Sequence, residues 1–326
     1  MIASRRSLLA SLASMAAMGW VCAQGKVARI AYLNSGRAAT QAAYVGALRE
    51  GLRDQGLMEN RDYVFDMYWA EGQYERFPAF AAEAVRRGAD VILVTTILAA
   101  RAAQQATRSI PIVMTYLNDP VGAGLVASLA RPGGNITGLA NHAEDLTPKL
   151  LEILCEVAPK STQFAVLFNP TNPTNRAMLD RTRKLAEPLG VTIRPLAFDG
   201  ADGLDFLFSL LKLHNAGGLL ILTDAAILDQ RDRVAAQAIS YRLAAIAEIP
   251  DYADAGILLS YGSSRTEAYR RQLAVYVKKI LDGAKPAELP IQQPTRIELT
   301  VNLKTARLLG IKLPQSVQVR ADRVIE

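Results

Sequence analysis

Histidine and cysteine are nearly missing from this chain, with two of each in 326 residues. Two histidines, His142 and His214, cannot build a convincing metal cluster, because metal sites draw three or four ligands from His, Cys and carboxylates held close together. His214 ends a helical pattern before N-A-G, where a partial positive charge favours the helix dipole; His142 follows a chain break and is free to face a cleft. One cysteine, Cys22, falls in an N-terminal processing segment, so the mature chain keeps Cys155 alone and has no internal disulfide. Cys155 stands in the apolar helical run L-L-E-I-L-C, the setting of a structural thiol. Nucleotide-binding turns are absent as well: the first strand leaves through N-S-G-R, with neither G-x-G-x-x-G nor a P-loop. No serine stands in G-x-S-x-G, and no Ser-His-Asp order can be assembled. The net charge of +6 falls to +4 once Arg5 and Arg6 leave with the processing segment. So small a surplus, without a basic stripe and interleaved aromatics, gives no footprint for nucleic acid. The reading is therefore a non-enzyme with no cofactor and no metal.

What is present begins with residues 1–23. Arg5 and Arg6 supply a positive start, residues 8–18 an apolar run of secretory length, and V-C-A a cleavage site. S-R-R-S-L-L also resembles a twin-arginine signal, while G-W-V before Cys22 makes a poor lipobox. The expectation is export to the periplasm without a lipid anchor.

From residue 26 the pattern alternates. Residues 26–33 (K-V-A-R-I-A-Y-L), 63–69, 90–94 and 110–115 read as strands, and residues 40–55, 74–87 and 98–107 as helices. A second series opens at 163, with strands at 164–168, 191–198, 218–222 and 244–248 and helices at 176–189, 204–214 and 230–242. Strands alternating with helices at this spacing give βαβ units and a parallel sheet. The two series repeat coarsely: Asn34 and Asn169 follow the first strand of each, and the helix stops Gly56 and Gly190 come 22 and 21 residues later. Beyond them, residues 257–261 and 296–301 are extended and residues 266–281 are an amphipathic helix, as if the chain returned to the first series and left again. The expected architecture is α/β, with two Rossmann-like lobes of parallel sheet joined by three hinge crossings around a ligand cleft. Lobe 1 takes residues 24–138 and 262–288, and lobe 2 takes 139–261 and 289–326. Residues 121–130 read as a short helix, and Pro132, Gly133 and Gly134 as the first hinge.

In such sheets ligands bind at the carboxyl ends of the strands, where loops and helix N-termini offer unpaired donors. Those positions carry Asn34, Ser35, Glu71, Thr95, Thr96, Asn118 and Asp119 from the first series. Asn141, Asn169, Thr223 and Asp224 come from the second, with Tyr261 at a crossing. Hydroxyls there suit a carboxylate, and Asp224 or Asp119 suits an ammonium group. The competing reading of each is a helix cap or a turn.

These residues lie within a longer resemblance. Y-W-A-E-G at 68–72 with Arg76 and Pro78, D-P-V-G-A-G-L-V-A-S-L-A-R-P-G-G-N-I-T-G-L at 119–139, L-F-N-P at 167–170, S-Y-G at 260–262, K-K-I-L-D-G-A-K-P at 278–286, Q-P-T at 293–295, N-L-K-T-A at 302–306 and R-A-D-R-V-I at 320–325 occur in order. Over residues 28–326 the chain resembles the ABC transporter substrate-binding proteins that include tryptophan- and tyrosine-binding members. The resemblance implies a type I periplasmic binding fold whose two lobes close on a small solute, without fixing which one; the strand-exit groups suit an amino acid or related carboxylate or amine, and the chain is expected to be a monomer. It would then deliver the solute to a membrane permease and its ATPase. Members that bind aromatic amino acids carry Thr-Asp-Asn where this chain has Thr223-Asp224-Ala225. A ligand sensor serving a membrane signalling protein remains the alternative.

Overall fold

The computed structural model describes residues 26–200, 202–213 and 215–326. The processing segment, Cys22 and His214 lie outside these residues. Five strands, β1 (Ala28–Asn34), β2 (Tyr63–Trp69), β3 (Val91–Val94), β4 (Ile112–Leu117) and β5 (Ile136–Ala140), form the first sheet in the order β2-β1-β3-β4-β5, all parallel. The second sheet has seven: β6 (Gln163–Phe168), β7 (Thr192–Ala197), β8 (Gly218–Ile221), β9 (Ala244–Ala247), β10 (Leu259–Gly262), β11 (Glu298–Asn302) and β12 (Arg323–Ile325). Its order is β12-β11-β10-β9-β8-β6-β7, so β6 to β10 repeat the arrangement of β1 to β5. The duplication expected from the spacing of Asn34 and Asn169 is thus a duplication of topology. Strands β3, β4, β8 and β9 are buried throughout, as short apolar runs covered on both faces must be. One departure from parallel pairing is β11, which runs antiparallel to β10.

Helices cover both sheets. In the first lobe these are α1 (Ala38–Asp54), α2 (Phe77–Arg86) and α3 (Ile97–Ala106). In the second they include α4 (Ala143–Val157), α5 (Pro173–Ala186), α6 (Leu204–Leu213), the single turn α7 (Ala225–Leu228), α8 (Arg231–Ser240) and α9 (Pro250–Asp254). After β10 the chain returns to the first lobe as α10 (Arg265–Ala268), passes through a π-helical turn (Tyr269–Leu273) and continues as α11 (Ala274–Leu281). This returning helix lies against α1, and the approach requires Gly51. A Cβ there would stand 2.1 Å from the backbone oxygen of Arg270 and 2.7 Å from Cβ of Ala274.

Three expectations need correction. Residues 121–130 form turns and bends rather than a helix, since the run is held by local and outside bonds: Asp119 Oδ1 accepts from Gly122 N at 2.8 Å, Ser128 Oγ accepts from Arg131 N at 3.1 Å, and Leu129 O accepts from Ile291 N at 2.7 Å. Pro132, Gly133 and Gly134 do not carry the chain between lobes. They lead from β4 to β5, and both strands belong to the first sheet. Pro-Gly-Gly serves a tight turn, with Ala127 N donating to Pro132 O at 3.0 Å and Gly133 at φ +82°. The chain leaves the first sheet only after Ala140, two residues beyond the expected boundary. It also stays longer on its return, because Gln292 bridges Leu139 and Leu289 O accepts from Thr137 Oγ1 at 2.7 Å. The three crossings therefore fall at residues 141–142, 263–264 and 293–297.

Among the described residues no helix is long and apolar enough to cross a membrane. Cys155 is half-buried at the edge of the second lobe's core, and burial pushes its thiol pKa up. Gly51→Val is expected to cost about 1–3 kcal/mol through overpacking, read as a lower midpoint in urea unfolding; an unchanged midpoint would mean that α1 and the returning helix do not meet so closely.

Candidate functional site

A cavity of about 70 Å³ lies between the lobes at the carboxyl ends of both sheets. Ser35, Thr95, Thr96, Asn118, Asn141, Thr223 and Asp224, all expected from the sequence, line it. On the first lobe, Ser35 follows β1 and Thr95 follows β3, so the adjacent strands bring their hydroxyls together at 3.0 Å. Thr96 caps α3 through Ala99 N at 3.1 Å, and capping and cavity lining coincide in one residue. Asn141 sits at the first crossing, where its Oδ1 accepts from Ala143 N at 3.1 Å and its Nδ2 donates to Tyr116 O at 3.4 Å.

Asp224 is the most heavily bonded group at the site. It caps α7, Oδ1 accepting from Ala226 N at 2.9 Å and Ile227 N at 3.4 Å. Asn169 Nδ2 donates to the same oxygen at 3.1 Å. Oδ2 accepts from Asn172 Nδ2 at 2.9 Å and, across the cleft, from Tyr74 OH at 2.9 Å. Five donors fill the roughly four lone-pair sites of a carboxylate, leaving no vacant position for an ammonium group. Burial, and then the charge of Asp224, push the Tyr74 phenol pKa well up, so Tyr74 is held as the donor.

Two more aspartates of the second lobe accept from the first. Asp229 takes Arg37 N at 3.0 Å and the Thr40 hydroxyl, and Asp251 takes Tyr44 OH at 2.8 Å. With Tyr74 and Asp224 these contacts hold the lobes together, a closed arrangement. Burial pushes the Asp229 carboxyl pKa up despite its partners.

The other expected residues lie elsewhere. Glu71, at φ +53°, and Asn169 border a separate cavity of about 360 Å³ beside Asp229. Asp119, at φ +36°, is spent on its own turn and edges a third hollow with His142 and Gln293. Asn34 is buried behind the site; its Oδ1 accepts from Gly36 N at 2.8 Å while its Nδ2 has no partner. Tyr261 packs against the second lobe's apolar core instead of entering the cleft. His142 belongs to the crossings, its Nε2 lying 3.2 Å from Pro294 O and its Nδ1 3.3 Å from Gln293 Nε2. Among the described residues no group of three His, Cys, Asp or Glu could hold a metal.

Several residues escaped the sequence reading. Tyr74 reaches Asp224 from 150 positions away, and Asn172 reaches it from the N-cap of α5. Arg265 lines the cavity from the first turn of α10, its guanidinium 5.3 Å from the centre of the Tyr116 ring. One signal pointed to it. Ser264 and Glu267 have the spacing of a capping box, and a cation between them opposes the helix dipole.

Beneath the cavity floor Glu248 is buried, its Oε2 accepting from Thr223 Oγ1 at 2.6 Å and its Oε1 without a partner. Burial raises its pKa above the ordinary 4.5, against the pull of Thr223 and Arg265. A folded-state pKa above the unfolded value means stability present at low pH and lost as pH rises through the folded pKa. Glu248→Gln is therefore expected to raise the melting temperature at about pH 7 and to give no gain at about pH 4. A gain of equal size at both pH values would show that Glu248 does not titrate in this way.

The model of a family described as ABC transporter substrate binding protein matches residues 30–325. A tyrosine-binding protein of Clostridioides difficile (strain R20291) is 24% identical over 265 residues, covering 81% of this chain and 75% of the relative. Among solved structures, an ABC domain from Streptococcus pneumonia in complex with L-Trp is 22% identical, with a TM-score of 0.81 over 92% of this chain and 100% of that one. A conserved domain protein from Vibrio cholerae is 25% identical, with a TM-score of 0.83 over 92% of this chain and 100% of its own. These matches agree with the duplicated 2-1-3-4-5 sheets and the cavity between them, and the chain belongs to the ABC transporter substrate-binding protein family.

Proposed function

We propose that this chain is the periplasmic receptor of an ABC-type importer, exported by its N-terminal segment. It takes a small polar organic solute, an amino acid or a related carboxylate or amine, between its lobes. The observation that carries the reading is the cavity itself, walled by strand-exit side chains of both sheets and closed by direct bonds between lobes. A tyrosine-binding relative and an L-Trp complex of the same fold support solutes of this size class. A ligand that touches both walls binds the closed form better than the open one, and that difference in affinity shifts the population toward closure. The closed surface is then what a permease, driven by its ATPase, would distinguish from the empty receptor.

Screening amino acids, small carboxylates and purines by thermal shift is expected to yield a ligand that raises the melting temperature; at 100 times its Kd the gain corresponds to about 2.7 kcal/mol. The same ligand should lower the radius of gyration in solution scattering. Stabilisation without compaction would overturn the hinge mechanism, and no hit from any class would overturn the receptor reading. Tyr74→Phe removes a bond made only when the lobes meet, so the Kd for that ligand should weaken about 2- to 10-fold. Unchanged affinity on titration would mean that the Tyr74–Asp224 contact takes no part in closure.

A further inference from the structure

Two ionisable side chains carry charge at the cavity wall, Asp224 and Arg265, and they are in opposite situations. Asp224 is saturated by the five donors described above. Arg265 has no acid within ion-pair distance and no hydrogen-bond acceptor among the described residues, and its Nε is buried without a partner. The Tyr116 ring face offsets part of the cost of holding a desolvated cation there, but a ring satisfies none of the guanidinium's directed N–H groups. Glu248, the nearby buried acid, stays outside ion-pair distance and gives one oxygen to Thr223. The cavity wall thus holds one guanidinium with no hydrogen-bonded or ion-paired acid and one carboxylate whose acceptor positions are already taken.

We propose that the solute is a small organic anion whose carboxylate lies against the guanidinium of Arg265, and that no ammonium group is required for binding. The proposal rests on the reading of this cavity as the solute site and names the solute's class. A planar fork of donors matches a carboxylate in two-point contact. The hydroxyls of Ser35 and Thr95 line the same cavity from strand exits of the first lobe and already bond to each other, so they suit hydroxyl or carbonyl groups of the ligand rather than a second charge. An ammonium group would meet only amides, hydroxyls and a carboxylate without a free acceptor position, and would lose its hydration without a directed bond to an anion.

The test is calorimetric titration of the chain with matched probes: succinate and 3-phenylpropionate, the amides of both, and 3-phenylpropylamine. At least one acid should bind at least 10-fold more tightly than its amide, with the amine weaker still. Arg265→Gln should weaken that acid about 10- to 100-fold while changing the amide's affinity less than 2-fold. Arg265→Lys, which keeps the charge and loses the fork, should fall between them. Acids that bind no better than amides, or not at all, overturn the proposal, as does an Arg265→Gln variant with unaltered acid affinity. Should the glutamine variant lose its fold by circular dichroism, the acid-to-amide ratio of the unaltered chain decides alone. An amide or amine that binds best and compacts the protein would sink the anion inference and leave the receptor reading standing. Failure of every probe, and of the wider thermal screen, would sink both.

Discussion

The carboxylate of Asp224 is the constraint on which the cleft depends. It must be buried when the lobes meet, and a buried carboxylate is tolerable only with its lone pairs filled. Donors from the second lobe, Asn169, Asn172 and the first turn of α7, satisfy most of that demand whatever the position of the first lobe. Tyr74 supplies the remainder from across the gap. The second lobe therefore holds a prepared anion, and closure completes its coordination instead of creating it. Asp229 and Asp251 extend the same logic along the interface, each offering an acceptor to a donor near or on α1.

Topology explains why these groups meet. Each sheet contains the order 2-1-3-4-5, with a switch point between its first and third strands, where successive helices go to opposite faces and leave a crevice at the strand ends. Ser35 and Thr95 occupy that crevice in one lobe, and Asn169 and Asp224 in the other. Two copies of one architecture face each other, so the site is assembled from equivalent loops. The polar groups that cap helices there are the same groups that wall the cavity.

Much of this was legible in the sequence. Near-continuous apolar runs ended by Asn, Thr or Asp marked β1, β3, β6 and β8, and seven of the expected residues reached the cavity because strand exits in a parallel sheet all lie on one edge. The first hinge was misplaced because Pro132-Gly133-Gly134 has the composition of a domain break, and composition cannot say which sheet the next strand joins. That choice was made by β5 pairing with β4, a contact between elements. Tyr74 was read only as a helix start, and Tyr261 as a site residue because it borders a crossing. Which face of a strand turns inward at its last residue depends on the opposing lobe, about which local pattern says nothing. Arg265 lay in a stretch without periodic signal, and its unfavourable place inside a capping box was the one local trace of its role.

The returning helix has a consequence for how the molecule comes to exist. Gly51 in α1 receives the backbone of Arg270, so the groove on the first lobe is filled by chain more than two hundred residues downstream. Neither lobe is a contiguous piece of sequence, and the amino-terminal lobe cannot finish its core until nearly the whole polypeptide has emerged. Contacts of such long sequence separation pay a large loop-closure entropy before they return any stability, which slows folding. The two lobes have separate sheets in the finished protein, yet they must be born together.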